Sequence, residues 1–240
     1  SYSEGVLTLK DYYYLAQVEL VKTDSVSKAG LPDVVFSLYK QTGEEPDTDR
    51  DILIAGGLVT GPEGRWDSSS AGGVDNPVTK GSLSDGLCPG SYYFVETSCG
   101  ERHKLDQTPQ KFEITQKNFT DIPEGEEPQV RLNIENEPIE VKLQKVDSKS
   151  GEMLEGAEFT LMDLIGSSEQ TVETGDNGTV ILPGIVSGRS YRLEETKAPA
   201  GYILNDLHPL VEFTVEADGS VSFTKTENTY TNTTGKKGTK

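Results

Sequence analysis

VELVKTDSVSKAGLPDVVFSLYK (Val18 to Lys40) and VKLQKVDSKSGEMLEGAEFTLMD (Val141 to Asp163) are two versions of one pattern. Each opens on alternating apolar residues that end in a lysine, passes a polar stretch with Asp-Ser and Gly, and closes on F-x-L. Alternation with a period of two marks strands with one buried face. The repeat extends outward: GLCPGSYYFVET matches GIVSGRSYRLEET, and VRLNIENEP matches VSFTKTENTY. Between these blocks the same kind of run recurs: QVELVK, KFEITQK and QVRLNIEN in the first half; IEVKLQK, AEFTLMD, TVILPG, LVEFTVE and SVSFTK in the second. Short alternating runs bounded by Gly, Pro, Asn and Asp predict an all-β chain, a sandwich or a barrel, written twice in tandem.

The boundary falls in ENEPIE, where Pro138 cannot donate to a sheet ladder. The expected organisation is therefore a first domain at 1–137, a second at 138–232, and a flexible tail at 233–240 with linker composition. The Lys-to-Glu interval is 24 residues longer in the first half (22 to 96 against 145 to 195), which predicts an insertion around 44–80.

Composition removes several functions. The chain of 240 residues holds 22 Lys and Arg against 40 Asp and Glu, a net charge of −18. That repels nucleic acid and anionic lipid, so no nucleic-acid partner is expected. No apolar run is long enough to span a bilayer, so no membrane insertion is expected of this fragment. SYSEGVLTLK lacks the marks of a signal peptide, and either a mature chain or a trimmed one is expected. Two Cys and two His do not support a zinc site, and no other metal or cofactor is expected. Asp47, Asp49 and Asp51 resemble the start of a calcium loop. Ile52 and Leu58, however, stand where an EF-hand needs its Gly and its bidentate Glu. No nucleophile–base–orienter set is present, so the chain reads as no enzyme. Trp66 and Tyr12 to Tyr14 are candidates for a ligand platform or, in the commoner use of aromatics, for strand faces.

Three ionisable or amide residues recur at core-facing positions. Lys22 follows Val18 and Leu20 on one strand face, and Lys145 follows Val141 and Leu143. Glu96 shares a face with Tyr92 and Phe94, and Glu195 with Tyr191 and Leu193. Asn136 continues the row Val130, Leu132, Ile134. Its counterpart Asn228 has the opposite parity to Val221 and Phe223, so a bulge or register change is expected between them. Burial disfavours the charged forms of Lys and Glu, which favours a neutral amine beside a protonated carboxyl. Such an amine can attack an Asn side-chain carbonyl while the carboxyl shuttles protons and ammonia leaves. In one copy taken alone such residues are more often strand-end groups at the surface; two copies with the same order and facing favour the chemical reading.

Residues 141–230 resemble a Cna-B (SpaA-like) domain of Gram-positive surface proteins and sortase-assembled pilins. KVDSKSGEMLEGAEFTL, YRLEETKAPAGY and TENTY carry the resemblance. Tyr191 to Tyr202 matches the pilin E-box, Y-x-L-x-E-T-x-A-P-x-G-Y. The resemblance implies an intramolecular isopeptide bond between Lys145 and Asn228, with Glu195 as proton shuttle; Asn232, on the same parity as Asn228, is the reserve partner. Residues 18–137 resemble the same domain type, which implies a Lys22–Asn136 bond with Glu96. There SCGERHKL replaces the expected APxGY. Neither a YPK-type motif nor an LPxTG signal is present, so an accessory subunit remains open beside a trimmed shaft subunit.

The resemblance implies a fold of two tandem Ig-like β-sandwich domains and a structural function: a pilus subunit or adhesin stalk segment, secreted to the cell surface, cell-wall anchored, joined to other pilin subunits through sortase, and linked to adhesion and virulence. The alternative is an adhesin module that binds a host extracellular-matrix or cell-surface ligand through the domain-one insertion. Cys88 and Cys99 form a disulfide only if the chain doubles back after Thr97; otherwise both are small apolar fillers.

Overall fold

The structure is a computed structural model that describes residues 2–3, 6–7, 14–120, 122, 126–204 and 210–227. Among the described residues the regular elements are strands and three short 3-10 turns. No helix among the described residues is long and apolar enough to cross a membrane. The strands are β1 (Tyr2–Ser3), β2 (Val6–Leu7), β3 (Gln17–Asp24), β4 (Val35–Lys40), β5 (Ile52–Val59), β6 (Arg65–Asp67), β7 (Gly90–Ser98), β8 (Gln110–Ile114) and β9 (Gln129–Asn136). There follow β10 (Lys142–Gln144), β11 (Glu158–Asp163), β12 (Glu169–Glu173), β13 (Thr179–Ile181), β14 (Ser190–Lys197), β15 (Leu210–Val215) and β16 (Val221–Glu227). The chain divides into two compact units. One holds residues 1–100 and 106–136; the other holds 101–105 and 137–240.

In the first unit a sheet in the order β6-β3-β9 faces one in the order β5-β4-β7-β8. Val18 and Leu20 from the first meet Phe36, Leu38, Tyr92, Phe94 and Ile114 from the second in one core cluster. This is the alternation of the sequence made physical: one face of each strand is removed from water. The first and last strands of this sandwich, β3 and β9, pair in parallel through eight residues, from Gln17 opposite Gln129 to Asp24 opposite Asn136. A parallel pair needs a long crossover. Here the crossover is the rest of the domain.

The expected insertion at 44–80 contains framework: β5 pairs with β4, and β6 with β3. The extra chain lies on either side of these strands. Residues 41–51 form a loop gathered on the Asp51 carboxylate, which accepts from the Thr42 amide, the Asp47 amide and the Tyr93 hydroxyl. Residues 68–87 carry two 3-10 turns, capped by Asp67 and Ser82. Trp66 packs edge-on to Phe94, with ring centroids 5.7 Å apart, and is 7% exposed. It belongs to the core and offers no ligand platform.

The second unit repeats the order. β10 pairs with β13 as β3 does with β6, and β12-β11-β14-β15 corresponds to β5-β4-β7-β8. It departs at the end, where β16 forms a hairpin with β15. The expected register change is present: Phe223 pairs with Phe213 and Lys225 with Glu212, which leaves Thr224 as the extra residue of a bulge. Residues 101–105 complete this unit: Ile139 donates to the Arg102 carbonyl and Leu105 to the Ala217 carbonyl, both at 2.8 Å. The tail at 233–240 lies outside the described residues.

Candidate functional site

Lys22 sits on β3 between the buried Leu20 and Asp24, and its side chain is fully enclosed. Glu96 comes from β7 and Asn136 from the end of β9; each is 1% exposed. Three strands from two sheets thus bring the three residues together. Lys22 Nζ lies 2.9 Å from Glu96 Oε2, and Asn136 Nδ2 donates to Glu96 Oε1 at 2.8 Å. The contact between Nζ and Oε2 is close but off the hydrogen-bonding direction. Nζ, Oε2 and Asn136 Oδ1 are buried without a hydrogen bond. The Phe36 ring closes the site, with its centroid 5.7 Å from Nζ. Buried polar atoms are normally satisfied, because each unmade bond costs about 1–3 kcal/mol. Three such atoms at one point are unusual in a core whose other strands are well paired.

In the second unit Lys145 donates to Glu195 Oε2 at 2.7 Å. Glu195 is buried, and the Lys145 side chain is 25% exposed. Asn228 and the reserve partner Asn232 lie outside the described residues. After the bulge at Thr224, Thr226 pairs with Val211, two places from Phe213 on the same row. The register thus shifts by one residue within β16, from odd to even numbers, and the numbers 228 and 232 are both even.

Cys88 and Cys99 do not form a disulfide. β7 runs straight between them for nine residues, roughly 30 Å at strand rise, far beyond the reach of a disulfide. Cys88 accepts from Lys40 Nζ at 3.6 Å and lies 3.5 Å from the Tyr92 hydroxyl. Cys99 stands beside the first site. Burial, then the charge of Glu96 and a hydrogen bond to it, push its thiol up to about 11, against an opposing pull from Lys22.

Two features lay outside the sequence reading. Glu19 on β3 is 1% exposed and bridges Arg65 of β6, at 2.6 Å, and Arg131 of β9. It ties both neighbours of β3 in register. An alternating pattern marks Glu19 as outward-facing, so only the two arginines across from it could have signalled the role. The other feature is the turn that holds each lysine's backbone.

The sequence profile of the SpaA prealbumin-like fold domain matches the chain twice, at residues 16–126 and 139–230. No curated protein matches. Among solved structures, the Bacillus anthracis TIE protein is 21% identical with a TM-score of 0.42, covering 86% of this chain and 32% of its own. A C-terminal fragment of the pilus adhesin SpaC from Lactobacillus rhamnosus GG is 17% identical at TM-score 0.41, covering 91% and 90%. The shaft pilin SpaA of the same organism is 15% identical at 0.37, covering 87% and 95%. The chain thus spans about a third of the TIE protein's length. At these scores the structural likenesses carry no argument of their own, and the assignment rests on the profile. Two matched segments cover most of the sequence, one holding the Lys22–Glu96 pair and the other the Lys145–Glu195 pair, and the chain belongs to the SpaA prealbumin-like fold domain family.

Proposed function

We propose that the chain is a structural segment of a Gram-positive pilus or adhesin stalk, and that each domain locks itself with a Lys–Asn isopeptide bond. One observation carries the reading. The two oxygens of Glu96 each face one of the nitrogens that must exchange a proton, Lys22 Nζ and Asn136 Nδ2. Neutral Nζ attacks Asn136 Cγ, and a new N–C bond forms. Glu96 takes the proton that Nζ sheds and supplies one to Nδ2. The Cγ–Nδ2 bond breaks, ammonia leaves, and Glu96 returns to its starting state. The fold has already oriented the reactants, so proximity supplies much of the rate. Lys145, Glu195 and Asn228 are assigned the same roles in the second domain, with Asn232 in reserve.

The bond suits a load-bearing segment. Force entering at Gln17 and leaving beyond Asn136 meets the crosslink five residues into β3 and at the end of β9. The chain between Lys22 and Asn136 is bypassed, including both sheets' other strands. By analogy with a disulfide, closing a loop of this length contributes about 4–5 kcal/mol in a chain-entropy account. Kinetic resistance to force and protease matters more. Partners are then other pilin subunits joined through sortase at the cell surface, in a secreted, wall-anchored assembly. Trp66 is the one aromatic of the 44–80 insertion, and its burial takes that side chain away from the host-ligand alternative. Tandem mass spectrometry of a digest tests the first bond: a branched peptide joining Lys22 to Asn136 is expected, and linear peptides with both residues unmodified at full occupancy would overturn it.

A further inference from the structure

Each paired lysine is the first residue past the end of an antiparallel ladder, and in both units the same turn takes it over. β6 pairs with β3 as far as Val21 opposite Arg65, and β13 with β10 as far as Gln144 opposite Thr179. The next amide, that of Lys22, donates to the Gly64 carbonyl at 2.7 Å; that of Lys145 donates to the Gly178 carbonyl at 2.9 Å. On the other side Leu31 donates to the Lys22 carbonyl, and Leu154 to the Lys145 carbonyl, both at 2.9 Å. The lysine main chain is thus pinned from both directions, twice.

The turns share a sequence, TGPEG at 60–64 and TGDNG at 174–178. Each is closed by the last glycine donating to the first, Gly64 to Gly61 and Gly178 to Gly175, at 2.8 Å. Each threonine is 2% exposed. The Thr60 hydroxyl donates to the Leu31 carbonyl and accepts from the Val34 amide; that of Thr174 donates to Leu154 and accepts from Ala157. Gly64 and Gly178 have φ of 72° and 66°, in the left-handed region. A Cβ on Gly64 would lie 2.1 Å from the Lys22 carbonyl oxygen, and one on Gly178 would lie 2.7 Å from the Leu154 nitrogen. Only glycine permits this approach.

We infer that Thr60 and Gly64, and likewise Thr174 and Gly178, are positioning residues for the reactive lysines. They touch neither the amine nor the carboxyl. They fix the backbone from which Nζ reaches Glu96 or Glu195, and a shift of about 1 Å at a reacting atom can cost on the order of a hundredfold in rate. The inference rests on the isopeptide reading above.

The test follows ammonia loss by intact mass after cell-free synthesis of the full chain, with folding monitored in parallel by circular dichroism and protease resistance. Gly57→Ala is the control: Gly57 has a φ of 69° but open space where its Cβ would go. Gly64→Ala is expected to fold and to close the Lys22 crosslink about a hundredfold more slowly than Gly57→Ala. Equal rates in the two folded variants overturn the inference and leave the isopeptide reading intact. A wild-type chain that never loses ammonia overturns both. If Gly64→Ala does not fold, Thr60→Val and Thr60→Ser decide: slowing by Val with recovery by Ser supports positioning, and wild-type rates in both overturn it.

Discussion

Asn136 hands its amide nitrogen to one oxygen of Glu96 at 2.8 Å, while the other oxygen of that carboxylate faces Lys22 at 2.9 Å. A purely structural ion pair gains nothing from leaving Nζ and Asn136 Oδ1 without hydrogen bonds. Oriented reactants do, because attack on Cγ needs a free lone pair.

Removing the shuttle should separate folding from crosslinking. Glu96→Ala is expected to fold while keeping the full mass of the first domain's two reactive side chains. It should also lose about 3–5 kcal/mol, since it strands the Lys22 amine in the core. Denaturant unfolding combined with intact mass reads both quantities. Full ammonia loss at Lys22 in this variant would remove Glu96 from the mechanism.

In the second domain the choice of partner is open to substitution. Asn228→Ala should abolish the branched peptide that contains Lys145, and Asn232→Ala should leave it unchanged. The parity set by the bulge at Thr224 admits both positions, and the match of TENTY to the closing motif assigns the role to 228. The reverse pattern would transfer the role to Asn232.

The Cys99 thiol supplies a pH test. Its folded-state value lies above the ordinary 9.0, at about 11, through burial and the neighbouring Glu96 carboxylate. A raised value means that the folded state holds the proton more tightly. The stabilisation is complete below about pH 9 and is lost as pH rises toward 11. Unfolding midpoints measured across that window should fall for wild type and fall less for Cys99→Ala. A parallel decline in both would place the titration elsewhere. Labelling of denatured, unreduced protein should find two reactive thiols.

Glu19 should act through register. Glu19→Ala removes the carboxylate that Arg65 and Arg131 share, at a cost of about 1–3 kcal/mol by urea unfolding. It should also slow formation of the Lys22 crosslink, because β3 and β9 carry the two reacting residues. An unchanged rate would confine Glu19 to stability.

Much of this architecture was legible because it is written twice. The paired blocks at 18–40 and 141–163 became β3–β4 and β10–β11, and the rows ending in Lys22, Glu96 and Asn136 are core rows. β5, β6 and β12 escaped notice for a physical reason. Each is an edge strand, free of the need to alternate, and β5 carries Gly56 and Gly57 in its middle. Their absence from the pattern made framework look like insertion. Trp66 was ambiguous because an aromatic serves a core and a ligand equally well until its neighbours are known. The Thr-Gly-x-x-Gly turns recur in the sequence but went unread, because their purpose depends on which carbonyl meets which amide.

The most direct measurement is the intact mass of the purified chain under denaturing, reducing conditions. The account predicts a mass below that of the sequence by one ammonia per domain, with the deficit from the first domain gone in Glu96→Ala. A mass equal to that of the unmodified sequence would contradict it.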